Sequence, residues 1–292
     1  MMFKKKPTAS KQPFTKAMLP HCRRELFFDV LKMHYIELIS IGLVLFGFAL
    51  PLIANVLITD MYTAQLSGSV NSPAADADVA QIASELASIR ITSSLISIPL
   101  IALLFVGLAG AARIIRQYAW GEIVFPFRDF TKGIKQNIKQ MLVLGTILGC
   151  VLAINSYAQN ISEFNGNQQG MYVASAIGAV SVLFLLPIGA YMMVCISIYG
   201  NTFGQNFIQG YALFLKAPFK TLGMLLACFG VYGLWLIPNT SVHFWLMILG
   251  SIGMPILLLI WYLFVYNQLD QYVNAEKHPE LVNIGIFPDD QE

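Results

Sequence analysis

The sequence predicts an all-α, polytopic membrane protein with six transmembrane helices and amphipathic interfacial helices on the cytoplasmic side. Two features of the composition indicate this class. Hydrophobic residues make up 57% of the 292 residues, and the mean hydropathy is +0.65. Charged residues make up only 12%, whereas soluble domains contain about 25%. The third observation is a set of six apolar stretches, each long enough to cross the roughly 30 Å hydrocarbon core of a bilayer.

The six predicted spans are joined by polar loops and lie within a transmembrane domain, 35–269. The spans are 36–58, 91–112, 140–158, 171–199, 221–237 and 242–266. A basic N-terminal region, 1–34, precedes them, and its helical pattern over 17–34 predicts an interfacial elbow helix. The outer loop 59–91 is polar, and we expect 81–90 to begin a helix that continues into the second span. Two inner loops, 113–140 and 199–220, are predicted to be amphipathic, and a polar tail, 270–292, ends the chain.

The distribution of basic residues predicts the orientation. Of the 18 lysines and arginines, 17 lie in the N-terminal region, the two inner loops and the tail, and only Arg90 lies in an outer loop. Loops that are rich in lysine and arginine stay in the cytoplasm. We therefore expect both termini to be cytoplasmic.

The loop 113–140 carries two separate faces at helical spacing. Its apolar face recurs every three or four residues and consists of Phe127, Phe130, Ile134, Ile138 and Met141. A basic stripe follows the same spacing on another side and consists of Arg128, Lys132, Lys135 and Lys139. This pattern predicts a helix on the membrane surface, with its apolar side in lipid or against the bundle and its basic side towards anionic lipids or a partner protein. The alternative is that the basic residues only set the topology.

A short internal repeat links the two inner loops. Asp129-Phe130-x-x-Gly133 with Lys139 corresponds to Asn206-Phe207-x-x-Gly210 with Lys216 at a constant offset of 77 residues. This suggests that the second and third spans and the fourth and fifth spans form two parallel repeats, although chance could produce so short a match. Phe207 and Lys216 are therefore added to the predicted partner or lipid interface.

No residue pattern points to catalysis. No ionisable residue lies in the core of a predicted span, which argues against an ion-coupled transporter and an intramembrane hydrolase. The loops contain neither a phosphate-binding P-loop nor an H-E-x-x-H zinc motif. The four cysteines show no C-x-x-C spacing and are predicted to be reduced. We expect no enzyme activity, no catalytic residue, no cofactor, no metal and no nucleic-acid partner.

Gly145 and Gly149 in the third span have the small-x-x-x-small spacing that lets two helices approach closely. We predict that they pack helices together. The partner helix is either another span of this chain or a span of a different protein.

Several short motifs together resemble the YesL family of small bacterial integral membrane proteins, a family without an assigned biochemical function. The motifs cover most of residues 20–287 and are Leu50-Pro51, the loop 127–140, Trp261-Tyr262, Asp270-Gln271-Tyr272-Val273-Asn274 and His278-Pro279-Glu280. The resemblance implies a multi-pass protein of the bacterial plasma membrane. It also implies an accessory role, because members of the family are often encoded beside carbohydrate ABC importers.

The leading hypothesis is a non-enzymatic accessory or assembly subunit that docks through its basic inner loops on a membrane complex, such as a sugar ABC importer. One alternative is a permease in its own right. Against it, the second inner loop has Gly210 and Pro218 but lacks the E-A-A sequence of the coupling loop in ABC permeases. Another alternative is a lipid-binding membrane sensor that uses the same amphipathic segment.

Overall fold

The computed structural model describes residues 19–70, 79–231, 234 and 239–287 of the chain. Within these residues every regular element is helical. The longer helices are α1 (Arg23–Val70), α2 (Val79–Ala119), α3 (Pro126–Phe164), α4 (Gln168–Ile198), α5 (Phe203–Lys216), α6 (Pro218–Phe229) and α7 (Thr240–Leu269). A π turn, Asp270–Asn274, joins α7 to the short α8 (Ala275–Lys277), and a 3₁₀ turn, Pro279–Leu281, follows.

Five of these helices, α1, α2, α3, α4 and α7, are long and apolar enough to cross a membrane. Helices α5 and α6 meet at an angle of 101° and provide a sixth crossing if they form one broken span. The predicted fold class, an all-α polytopic membrane protein, is confirmed. The predicted fifth span, 221–237, coincides with α6 only as far as Phe229, and most of its remainder lies outside the described residues.

Two predicted loops are largely helical. Helix α1 continues into the predicted outer loop as far as Val70. Helix α2 begins at Val79 and therefore includes the helix that was expected to begin at residue 81. At the other end α2 runs to Ala119 and α3 begins at Pro126, so that only 120–125 form a turn. A polar stretch of helix-forming residues extends an existing helix without a new nucleation cost. The rest of the turn-prone outer tract, 71–78, lies outside the described residues.

The predicted surface helix of the loop 113–140 is not a separate element. Its amphipathic part belongs to α3, which runs without a break through the third span and contains 39 residues. Such a helix is about 58 Å long at 1.5 Å per residue, about twice the thickness of the hydrocarbon core. A helix that continues along the axis of a span cannot also lie in the membrane plane, and the expectation of a separate surface helix here was therefore wrong. Helix α1 has a kink at His34, the residue where the predicted elbow helix 17–34 was expected to end, and residues 17 and 18 lie outside the described residues.

Helix α2 lies at the centre and packs along α3. Gly133 lies opposite Ala109 and Arg113 of α2, and Arg90 near the far end of α2 forms an ion pair with Glu163 at 3.0 Å. The α2–α3 and α4–α5 turns lie at one end of the bundle, where the Gln140 side chain donates a hydrogen bond of 2.8 Å to the Asn201 carbonyl. We call this end, which also contains the start of α1, the basic end. Large buried side chains such as Trp261 and Tyr262 pack in the part of the bundle near it.

Candidate functional site

The basic stripe is exposed along the first half of α3. All four members, Arg128, Lys132, Lys135 and Lys139, are exposed. The opposite face is used inside the chain, since Phe130 and Met141 are buried and Ile134 packs against the core. Gly133 permits this close approach, because a Cβ there would lie 2.7 Å from Cβ of Arg113. The two predicted faces are therefore present and the apolar face packs against the bundle from Phe130 onward, but Phe127, which was predicted on that face, is exposed.

Apolar side chains are exposed at the tip of the α2–α3 hairpin. Phe127 is 78% exposed and Ile123 is 82% exposed, and Phe125 lies beside them. The guanidinium of Arg128 lies 4.2 Å from the centre of the Phe125 ring. The carboxylate of Asp129 is buried and accepts a hydrogen bond of 2.8 Å from the Phe125 backbone N–H, which fixes the start of α3. The tip thus presents apolar and cationic groups on a rigid helix start.

The second-loop residues lie on a different helix from the stripe, although the Asn206 side chain beside Phe207 donates a hydrogen bond of 2.9 Å to Gln140 beside Lys139. Phe207 on α5 is 41% exposed. Lys216, at the end of α5, places its Nζ atom 4.7 Å from the centre of the Tyr272 ring in the C-terminal segment. The predicted single interface, stripe plus Phe207 and Lys216, is therefore divided between two helices of the basic end.

The internal repeat has a structural counterpart. Helices α3 and α5 begin at Pro126 and Phe203, which are 77 residues apart, the offset of the motif. Gly133 lies against α2. A Cβ on Gly210 would lie 3.1 Å from the carbonyl oxygen of Ile188 in α4. Each glycine thus lets its helix pack closely against the preceding one.

The same offset relates the stripe to a face of α5. The positions equivalent to the four stripe residues are Gln205, Gln209, Ala212 and Lys216. These four residues line a cleft of about 520 Å³ between α5 and the C-terminal segment. The opposite wall of this cleft, which we call the α5 cleft, includes Tyr272, Glu276, Lys277 and His278. On α5 the equivalent face thus borders this cleft, although Gln205, Ala212 and Lys216 remain exposed to solvent.

The C-terminal segment, predicted as a simple polar tail, is part of the fold. Arg23 donates hydrogen bonds to the Asp270 carboxylate at 2.7 Å and to the Ile284 carbonyl at 2.6 Å. The Tyr199 hydroxyl donates to Asn274, and the Phe287 N–H donates to the Pro20 carbonyl at 2.9 Å. The motif Asp270–Asn274 is the sequence feature that could have indicated this packing, since its polar residues Asp270 and Asn274 lie four positions apart and both face the bundle.

Gly145 and Gly149 lie against α2 of the same chain. A Cβ on Gly145 would lie 2.8 Å from Cβ of Phe105, and a Cβ on Gly149 would lie 3.1 Å from Cα of Ile98. The spacing therefore serves the α2–α3 contact within the chain.

Neither a scan against protein-family models nor comparisons with curated proteins and solved structures give a match to this chain. Its four cysteines are free. Within the described residues, no group of three histidine, cysteine, aspartate or glutamate side chains is placed to hold a metal ion. The chemical features of the site are therefore the basic stripe, the apolar tip and the α5 cleft.

Proposed function

We propose that this protein is a non-enzymatic accessory or assembly subunit of a membrane complex and docks through the basic stripe. In this proposal it lies in the bacterial plasma membrane with the basic end and both termini in the cytoplasm, as the distribution of lysine and arginine favours. The carrying observation is that all four cations of the stripe face of α3 are exposed, while the equivalent face of α5 has a single cation, Lys216, and borders a cleft formed with the chain's own C-terminal segment.

The residues on the two faces differ as a docking role requires. Three of the four stripe positions are occupied on α5 by Gln205, Gln209 and Ala212, none of which is charged. Both helices begin at the same end of the bundle, and the cations are concentrated on α3. Charge complementarity across an interface selects the partner. An acidic segment of a partner is therefore the occupant that complements the stripe.

The direction of the stripe favours a protein partner over a lipid surface. Lys139 adjoins the predicted third span, and Arg128 lies eleven residues further from it along an unbroken helix, about 16 Å away. The headgroup layer is only about 5–8 Å thick on each side. A stripe that leads away from the span can therefore reach a neighbouring protein along its whole length, but anionic headgroups only near Lys139.

The exposed tip supplies the apolar part of such an interface. Apolar groups that are central to an interface contribute most of its free energy, and surrounding charges add specificity and speed of association. In this proposal the exposed Phe127 and Ile123 supply the apolar contacts, and the stripe supplies the charges. The resemblance to the YesL family, together with this surface, favours a bacterial carbohydrate ABC importer as the complex.

Purification from the native host in mild detergent tests the proposal. We expect the wild-type chain to bring down other membrane proteins in fixed stoichiometry, and Lys132→Glu with Lys135→Glu to lose them. The matched control is Arg24→Glu with Lys32→Glu, which makes the same charge change at exposed positions of the same end. Docking through the stripe would be contradicted if the wild-type chain were purified as a monomer without partners. It would also be contradicted if the stripe variant and the control variant lost their partners equally.

A further inference from the structure

The α5 cleft is an open space between α5 and the C-terminal segment, and its walls combine apolar surface with several polar side chains. One wall is a single face of α5 that includes Gln205, Gln209 and Lys216, and the other includes Tyr272 and Lys277. Segments that only pack together close their contact with apolar side chains or ion pairs at the density of a protein interior. The volume of about 520 Å³ instead falls within the roughly 300–1,000 Å³ of small-molecule sites.

Cationic groups of the cleft are available to an anion. Within the described residues, neither Lys216 nor Lys277 forms an ion pair, and both line the cleft. Glu276 is the carboxylate that lines the cleft with them, and His278 has its own acidic neighbour, Glu280, at 3.4 Å. An ammonium group binds phosphate oxygens as a point charge.

The remaining walls suit a ligand body with hydroxyl groups. The side chains of Asn201, Gln205 and Gln209 contribute amide groups to the wall, and the Gln205 oxygen already accepts a hydrogen bond of 2.9 Å from the Thr202 backbone N–H, which leaves the Gln205 amide N–H groups for a ligand. The Asn201 amide donates to Gln209 at 3.3 Å, which orients this wall. Ile208 and Val273 add apolar surface for a carbon skeleton.

The backbone of the opposite wall is shaped by the π turn Asp270–Asn274. The N–H of Ala275 bonds to the carbonyl of Asp270, five residues earlier. Within this turn Asp270 and Asn274 face Arg23 and Tyr199, whereas Tyr272 lines the cleft. Single π turns of this kind frequently occur at functional sites.

We propose that the α5 cleft binds a phosphate-bearing ligand with a hydroxylated body. Lys216 and Lys277 contact the phosphate, and Gln205 and Gln209 contact the hydroxyl groups. Two sources share this chemistry: the headgroup of phosphatidylglycerol in the adjacent leaflet, and a soluble polyol phosphate. The stripe residues take no part, so the proposal stands apart from the docking function.

The full chain in lipid nanodiscs provides the test, with one arm for each source. In the first arm, discs of mixed phosphatidylglycerol and phosphatidylcholine are analysed by native mass spectrometry for the lipid that stays bound. In the second, glycerol 3-phosphate is titrated calorimetrically into discs of phosphatidylcholine alone. Retained phosphatidylglycerol supports the lipid source, and a binding isotherm supports the soluble source.

The variants connect either signal to the cleft. We expect Lys216→Gln with Lys277→Gln to weaken binding about tenfold or more, as loss of charge-assisted contacts does. The matched control is Lys32→Gln with Lys220→Gln, exposed lysines outside the cleft, and it should bind as the wild type does. Lys277→Gln alone, at an exposed position, tests the site should the double variant unfold. The proposal is wrong if neither probe binds, or if the cleft variants and the control bind equally.

Discussion

The contact between α1 and α7 provides a test with an internal control. Gly42 and Gly47 both lie inside α1, but their surroundings are opposite. A Cβ on Gly42 would lie 2.8 Å from the carbonyl carbon of Ile252 and 2.9 Å from its Cα, well inside the 3.4 Å of ordinary contact. A Cβ on Gly47 would meet nothing within 4 Å. The same change to alanine should therefore have opposite effects at two positions five residues apart.

The magnitude follows from two opposing effects. Alanine is favoured over glycine in a helix interior by about 1 kcal/mol, and this gain applies at both positions. At Gly42 the clash is with backbone, which cannot rotate away, and overpacking costs about 1–3 kcal/mol and sometimes more. We expect Gly42→Ala to lower the free energy of unfolding by about 2 kcal/mol and Gly47→Ala to leave it unchanged or raise it slightly.

Both effects can be measured by unfolding the purified variants in detergent, either by heating or by adding sodium dodecyl sulfate. Intrinsic tryptophan fluorescence monitors the unfolding. Gly42→Ala should unfold first, then the wild type, and Gly47→Ala together with or after the wild type. Equal midpoints for the two variants would refute the close approach of α1 to α7.

Three further outcomes are expected. Gly145→Ala should lower the unfolding free energy of the isolated chain by about 1–3 kcal/mol, because Phe105 is too close for a Cβ; a loss of partner binding with unchanged unfolding would instead indicate a partner-facing surface. Asp270→Asn should destabilise the chain by about 3 kcal/mol, because Arg23 then loses the partner of a largely buried ion pair. The effect should be seen as earlier unfolding and as faster proteolysis of the C-terminal segment. The exposed Cys22, kept as the sole cysteine, should react with an impermeant maleimide only after the cells are opened, and labelling of intact cells would reverse the proposed orientation.

The features that the sequence predicted correctly depend on local spacing. The two faces of α3 follow from a helical period of 3.6 residues, and Phe130 and Lys132 accordingly lie on its buried and exposed sides. The length of the apolar runs likewise predicted helices that cross a membrane. In each case one short window of sequence contains the whole signal.

The features that the sequence did not predict depend on distant contacts. Arg23 and Asp270 are separated by 247 residues, and no local pattern indicates that the polar tail returns to the start of α1. The α5 cleft has the same origin, because its two walls come from α5 and from the segment after α7. Lys216 shares the repeat position of Lys139, yet its neighbour Tyr272 belongs to that distant segment.

The two halves of the repeat differ because of one pair of residues. Helix α3 continues past Lys139 through Gln140 and Met141, whereas α5 ends at Lys216 and is followed by Ala217 and Pro218 at the equivalent positions. Proline lacks the N–H for a helical hydrogen bond and disfavours helix at the residue before it, and the chain accordingly bends by 101° there. The bend gives the second repeat a short helix whose polar face borders the α5 cleft. The first repeat, without the proline, keeps a straight helix whose basic face no described segment of the chain covers, and a face of this kind is what a docking partner requires.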